Sequence, residues 1–110
     1  MKITFKDKKL RKAAVSLKLL IQVYGKRRGE LLKVRLDDLL TAETLEDVRY
    51  LPGHYHELTQ DRKGQWACDL DQPYRLIFTP HEGPIPANED GQYLWIEIKG
   101  VEIIEITDYH

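Results

Sequence analysis

The pattern of apolar positions changes once along the chain, near residue 50, from a helical period to a strand period. Residues 2–6 alternate between polar and apolar side chains, which predicts a short opening strand. Asp7 then suits the cap of a helix that runs to about Tyr24, because apolar residues recur three and four positions apart. Gly25 fits the end of this helix.

A second helix is predicted to open at Gly29 and Glu30 and to run to about residue 40, since leucines recur there on one stripe. Thr44, with Asp47 three residues on, predicts the cap of one further helical turn. Pro52 and Gly53 follow, and this pair of residues is expected to break the chain.

After this break the chain shows short strand-like runs separated by turn residues. These runs are residues 54–58, 65–70, 74–79 and 101–107. Residues 93–98 fit a strand or a helical turn equally, and the proline-rich residues 80–91 predict a surface loop. The sequence therefore predicts one α+β domain over residues 1–110, with two N-terminal helices packed on a C-terminal antiparallel sheet.

Composition excludes several classes of protein. The chain has 110 residues, 42% of them hydrophobic and 32% charged, as in an ordinary globular domain. Its apolar runs are too short to span a bilayer or to form the core of a signal peptide, so we expect a cytoplasmic protein. The single cysteine, Cys68, excludes an internal disulfide and is expected to be a small packing residue in a strand.

The net charge of −1 conceals an asymmetry along the chain. Residues 1–49 carry 13 Lys and Arg against 7 Asp and Glu, whereas residues 50–110 carry 4 against 11. Such a difference often marks a region that faces a polyanion. The same charge asymmetry is explained equally well by a pair of solvated, lysine-rich helices.

Four histidines are the main candidates for chemistry: His54, His56, His81 and His110. His54 and His56 are two apart on a predicted strand and should face the same way. A His-X-His pair alone does not supply the convergent ligands of a metal site, so we expect no metal and no cofactor. Ser16 falls within a predicted helix and lacks the glycine-flanked turn of a nucleophilic serine.

Cleavage of RNA without a metal fits these residues better. Histidine can move protons near neutral pH, and the planar fork of Arg75 could pair with two phosphate oxygens. Arg75 lies in the middle of a predicted strand, where a long cation should face a solvent cleft. Tyr109 could stack on a base. An ordinary surface histidine and a frayed Tyr-His end would explain the same residues without any activity.

Three stretches together resemble the HigB branch of the RelE/ParE toxins, over nearly the whole chain. The first runs from the Leu-Glu-Asp-Val of residues 45–48 and the Leu-Pro-Gly of 51–53, through the His-Glu-Leu of 56–58, to the Asp-Arg-Lys-Gly-Gln-Trp of 61–66. The second is the Tyr-Arg-Leu-Ile-Phe of residues 74–78. The third is the Glu-Ile-Thr-Asp-Tyr-His of residues 105–110, and the sequence ends on histidine as HigB-like chains commonly do.

The resemblance implies two helices on an antiparallel sheet and metal-independent cleavage of mRNA in the A site of the small ribosomal subunit. It also implies a cognate HigA-like antitoxin with a helix-turn-helix. By this match His56 is the mid-chain catalytic histidine and Arg75 the phosphate-binding arginine. Asp108, Tyr109 and His110 match the catalytic cluster at the end of the family's chains, whereas His54 has no clear counterpart.

Two departures from the family change the expected site. Thr59 stands where many relatives have a lysine, so the missing positive charge must come from elsewhere, with Arg62 and Lys63 nearest. Arg27 and Arg28 of the basic helices are further candidates for RNA binding. The loop of residues 80–91 is longer than the hairpin of compact relatives and resembles a subgroup with a proline-containing insert.

Two other functions remain compatible with this fold. One is a ParE-like poison of DNA gyrase that is not an enzyme, and the other is an inactive relative that only binds a partner. The histidines favour the ribonuclease, since a pure binder would not need them.

Overall fold

The computed structural model describes residues 1–108 of the chain. The helices are α1 (Lys8–Ala13), α2 (Leu17–Tyr24), α3 (Lys26–Thr41) and α4 (Leu45–Val48). The strands are β1 (Lys2–Phe5), β2 (His56–Glu57), β3 (Trp66–Asp69), β4 (Tyr74–Pro80) and β5 (Gly100–Asp108). Two 3₁₀ turns cover Gln60–Arg62 and Trp95–Glu97.

The strands form one sheet in the order β1-β5-β4-β3-β2. Strands β2 to β5 pair antiparallel, and β1 adds to the edge of β5 in the parallel direction. A bulge shifts the register of β4 against β5 between Ile77 and Phe78. The predicted α+β architecture is confirmed, and the parallel edge strand is a feature that the local pattern did not reveal.

The predicted single helix from Asp7 to Tyr24 is wrong, because Ser16 divides it. Asp7 caps α1 as expected, and its carboxylate accepts a hydrogen bond from the amide of Leu10 at 2.9 Å. Ser16 has extended backbone angles, and its hydroxyl accepts from the amide of Leu19 at 3.2 Å. A serine in this conformation starts a new helix, since its side chain satisfies an amide that would otherwise lack a partner.

The second helix begins at Lys26, earlier than the predicted start at Gly29. Gly25 turns the chain with a φ of 89° and so separates α2 from α3 without a loop. Gly29 instead lies inside α3, where an added Cβ would be 2.7 Å from the backbone of Ile21. This glycine therefore lets the backbones of α2 and α3 approach closely.

The insert between β4 and β5 is partly ordered by its own contacts. Its chain forms an isolated bridge between Ala87 and Tyr93. Trp95, in the second 3₁₀ turn, is buried edge-on against Trp66 with ring centroids 5.5 Å apart. Of the ambiguous residues 93–98, Tyr93 thus forms an isolated bridge and Trp95–Glu97 form a 3₁₀ turn, which anchors the insert to the core.

Each face of the sheet has its own apolar cluster. The helices cover the face that carries Trp66, Leu76 and Phe78, and together they form the main core. On the other face Leu58, Ala67 and Ile77 form a smaller cluster with Ile104 packed against it, and no helical residue within residues 1–108 belongs to this cluster. We call this second surface the open face. None of the helices within residues 1–108 is long and apolar enough to cross a membrane.

Candidate functional site

His56 and Arg75 lie on the open face of the sheet. His56 is paired directly opposite Ala67, a member of the open-face cluster. Arg75 is two residues before Ile77 on β4, so its side chain points to the same side. The fold thus brings these two predicted site residues to one surface, from strands separated by β3.

The predicted strand of residues 54–58 is wrong at its start, because only His56–Glu57 pairs as a strand. His54 has a φ of 55°, in the left-handed region that few residues other than glycine adopt, and Gly53 before it has a φ of 121°. The two histidines nevertheless share a side, as predicted. Their rings stack with centroids 4.1 Å apart and planes 20° from parallel.

The backbone of this turn determines which nitrogen of His56 carries a proton. Its Nδ1 lies 2.7 Å from the carbonyl oxygen of His54. A carbonyl can only accept a hydrogen bond, so Nδ1 must be the donor. In the neutral ring the lone pair is then on Nε2. His56 is therefore arranged to accept a proton through Nε2.

Asp69 completes this cluster, and sequence reasoning missed it. One carboxylate oxygen is 3.6 Å from Nδ1 of His54, and the other is 3.5 Å from Nε of Arg75. Asp69 faces Arg75 directly across the β3–β4 hairpin. Strand alternation was the available signal, since a buried Cys68 places its neighbour Asp69 on the open face.

The end of β5 brings a third predicted residue near the site. Thr107 pairs with Arg75, and Asp108 pairs with the adjacent Tyr74. Asp108 is exposed and, by this register, shares the side of Tyr74 rather than that of Arg75. Tyr109 and His110, the other two catalytic candidates, lie outside the described residues.

Arg62 and Lys63, the candidates for RNA binding near the β2–β3 turn, have different surroundings. Arg62 pairs with Glu105 of β5 at 2.7 Å and donates to the side chain of Gln65. It thus lies beside the open face, in an ion pair that an incoming phosphate would have to rearrange. Lys63 instead has its Nζ 5.5 Å from the ring centroid of Tyr93, beside the insert.

Arg27 and Arg28 also differ, although they are adjacent. Arg28 forms two hydrogen bonds with Asp71, of 2.9 and 3.1 Å, and its guanidinium stacks 3.6 Å from the ring centroid of Tyr74. Hydrogen bonding from Arg28 holds the pKa of the Asp71 carboxyl below its usual value. Arg28 therefore has a structural role, on the side of the sheet that the helices cover, whereas Arg27 is exposed.

The other reactive side chains, Cys68 and His81, have structural roles. Cys68 is fully buried, and burial raises the pKa of its thiol, so it is a packing residue as expected. His81 is 3.0 Å from the hydroxyl of Thr4, at the opposite end of the strands from Arg75. Within residues 1–108 no three His, Cys, Asp or Glu side chains converge as a metal site.

Solved structures with the same fold are bacterial toxins. The YoeB–YefM complex of Staphylococcus aureus matches with a TM-score of 0.58 at 14% identity, over 100% of this chain and 97% of that one. The S. aureus YoeB dimer gives 0.55 at 15% identity, over 100% and 97%. A YoeB/ParE toxin from Agrobacterium tumefaciens gives 0.52 at 14% identity, over the full length of both chains.

Comparison by sequence gives no relative. No protein-family model matches the chain, and no curated protein matches it either. At such low identity, the structural matches establish that the chain has the RelE/ParE-type fold.

Proposed function

We propose that this chain is a HigB-type toxin of a toxin–antitoxin pair, and that it cleaves mRNA on the ribosome without a metal. The observation that carries the proposal is the placement of His56 and Arg75 on the same face of the sheet, the open face. The hydrogen bond of His56 to a carbonyl leaves Nε2 as a proton acceptor. A proton acceptor beside a phosphate-binding arginine is what transesterification of RNA requires.

In the proposed reaction His56 Nε2 takes the proton of a ribose 2′-hydroxyl. The 2′-oxygen then attacks the adjacent phosphorus while the guanidinium of Arg75 pairs with the phosphate oxygens. The bond from phosphorus to the 5′-oxygen breaks, and that oxygen receives a proton from His110. The products are a 2′,3′-cyclic phosphate and a free 5′-hydroxyl. Tyr109 would orient a nucleotide, and Asp108 would position its neighbours.

The ribosome would supply the alignment that the protein lacks. An in-line attack needs the 2′-oxygen held behind its own phosphate, and few aromatic side chains here could hold a base. Residues 8–28 carry eight lysines and arginines and no acidic residue, on the helices opposite the open face. We propose that these helices contact ribosomal RNA while the open face receives the message in the A site.

An antitoxin would be the second partner. The S. aureus match is a complex of YoeB with YefM, so a chain of this fold is known bound to a second protein. We propose that this chain has a HigA-like antitoxin with a helix-turn-helix.

The test is primer extension on a message translated in a purified system that contains this protein. We expect cuts in the translated message, none in the same RNA without ribosomes, and no effect of phenanthroline, which removes transition metals but leaves ribosomal Mg²⁺. His56→Gln should lower cleavage about a hundredfold or more, because it removes a proton-transfer group. Deletion of Tyr109 and His110 should abolish it.

The rival activity is measured beside it, as gyrase supercoiling in the presence of the same protein. Inhibited supercoiling together with an uncut message would contradict the ribonuclease and favour a gyrase poison. Both activities need to be tested because the A. tumefaciens protein with this fold is a YoeB/ParE toxin.

A further inference from the structure

His54 is held in a conformation that its own side chain does not favour. Its φ of 55° lies in the left-handed region, where the Cβ of a non-glycine residue crowds the backbone. This conformation directs the carbonyl of His54 to Nδ1 of His56. The strained backbone therefore has a visible effect, which is to fix the orientation of the neighbouring ring.

The surroundings of Gly53 keep the turn in place. Its carbonyl accepts a hydrogen bond from the amide of Asp69 at 2.8 Å. The carbonyl of Asp69 in turn accepts from Nε of Arg35 at 2.7 Å. Gly53 has a φ of 121°, which L-amino acids rarely adopt, and a Cβ there would also be 2.8 Å from the guanidinium of Arg35, so glycine is favoured at this position. The turn is thus fastened to β3 and to α3 through main-chain groups.

The side chain of Asp69 connects the turn to Arg75. Its two oxygens lie within 3.6 Å of His54 Nδ1 and 3.5 Å of Arg75 Nε. The oxygen toward Arg75 is shielded from solvent and makes no direct hydrogen bond within residues 1–108. A shielded carboxylate oxygen favours an adjacent cation, so Asp69 places a negative charge between the guanidinium of Arg75 and the imidazole of His54.

We propose that His54 and Asp69 are positioning residues for the reaction proposed above. His54 orients His56 through its carbonyl and its stacked ring, and Asp69 holds the ring of His54 and Arg75 in register. This inference rests on the proposed ribonuclease activity only for its kinetic consequence. Neither residue is among the site residues that the resemblance to HigB-like toxins implies.

The variant His54→Asn distinguishes the contribution of the His54 ring from that of its backbone carbonyl. Asparagine tolerates the left-handed conformation, so the carbonyl can still hold His56 while the stacked ring is lost. Gln60→Asn is the matched control, because Gln60 has a φ of 54° in the next turn and is exposed. Asp69→Asn removes the carboxylate charge but keeps the size of the side chain.

The first measurement does not require activity. The ring protons of His56 are followed by NMR, since a stacked imidazole shields them. We expect His54→Asn to move them to the positions of an unstacked ring, Asp69→Asn to move them part of the way, and Gln60→Asn to leave them unchanged. Ring protons that do not move in His54→Asn would overturn the proposal, whether or not the protein cuts RNA.

The second measurement is single-turnover cleavage on programmed ribosomes. His54→Asn and Asp69→Asn should each slow cleavage roughly ten- to a hundredfold, as expected when a reacting group is displaced, without weakening ribosome binding. In a His56→Gln background, His54→Asn should add no further loss, because it acts through His56. An equal loss in both backgrounds would overturn the positioning role. If the wild-type protein does not cleave, the proposed function fails, and the NMR result alone decides on the arrangement of the rings.

Discussion

At the scale of single residues, the carboxylate of Asp71 links the β3–β4 turn to the first turn of α3. It accepts two hydrogen bonds from Arg28, and both side chains are less than a quarter exposed. A bidentate pair of this kind has a defined geometry, unlike most surface ion pairs. The hydrogen bonds from Arg28 stabilise the charged form of Asp71, which is why its pKa is lowered.

This lowered pKa predicts how the stability of Asp71→Asn depends on pH. The ion pair stabilises the folded state above the ordinary carboxyl pKa of 3.8. The contribution disappears as the pH falls through the lower value of the folded state, where Asp71 takes up a proton. In urea unfolding, Asp71→Asn should therefore be about 0.5–1 kcal/mol less stable than wild type at neutral pH. Well below the folded-state pKa the two proteins should be equally stable.

Asp61→Asn is the control, since this carboxylate is exposed on the 3₁₀ turn and its change should have no effect at either pH. A deficit of Asp71→Asn that persists unchanged in acid would mean that size or backbone effects, and not the charge, are responsible.

How much of the site could be predicted depends on the range of the interactions. Strand alternation, a local property, predicted the strands that carry His56 and Arg75. The placement of these two side chains on one face, and their grouping with His54 and Asp69, needs the register of β2, β3 and β4 and the backbone angle of His54. The turn that carries His54 makes a long-range hydrogen bond, from the amide of Asp69 to the carbonyl of Gly53, which no local pattern reveals.

At the scale of elements, the contact between α2 and α3 depends on Gly29. This residue is buried within α3, against the backbone of Ile21 on α2. In an exposed helix an alanine would be more stable than a glycine by about 1 kcal/mol. Here the gain is outweighed, because the clash is with backbone atoms that cannot rotate away.

We therefore expect Gly29→Ala to destabilise the protein by about 1–3 kcal/mol, as overpacked sites commonly do. Val34→Ala is the control on the same helix, since its side chain is 48% exposed and alanine is the better helix former. It should leave stability unchanged or raise it slightly. The measurement is the midpoint of thermal unfolding for both variants. A Gly29→Ala protein as stable as wild type would show that α2 can shift to make room.

The helices show which signals a sequence carries. The apolar period continues across residues 10–24, so it predicted one helix, whereas the capping serine that divides it is a single local residue. The Thr44 turn was predicted correctly, because Asp47 accepts from the amide of Thr44 at 3.1 Å, within four residues. Strand β1 pairs in parallel with β5, with Lys2 opposite Gly100. This long-range pairing produces no recognisable pattern in the sequence of either short segment.

At the scale of the whole molecule, the basic helices and the residues of the proposed site lie on opposite sides of the sheet. The basic helices pack on one face, and His56 and Arg75 lie on the other. A phosphate backbone that contacts the helices would leave the open face uncovered. The asymmetry along the sequence thus becomes an asymmetry in space.

We predict that the cations of residues 8–28 control ribosome affinity. The double variant Lys12→Gln, Lys18→Gln removes two exposed charges from α1 and α2. It should weaken binding and reduce the slope of log affinity against log salt by roughly two, about one for each lost phosphate contact. The measurement is ribosome binding at several KCl concentrations.

The matched control is the double variant Lys33→Gln, Lys99→Gln. Lys33 is paired with Asp37 at 2.9 Å, and Lys99 lies before β5 in the acidic half of the chain. This control has the same net charge but should keep the wild-type slope. Equal salt slopes for the two double variants would indicate that ribosome binding depends on the total charge of the protein and not on the cations of residues 8–28.

The two apolar clusters described for the sheet share no side chain. Substitutions made in one cluster should therefore combine nearly additively with substitutions made in the other, since the two clusters lie on opposite faces of the sheet and sites without common partners rarely couple. In evolutionary terms, epistasis between the helical surface and the open face should be weak. A lineage could then change the partner recognised by its helices, one mutation at a time, while the histidine and arginine on the far side stay under separate selection.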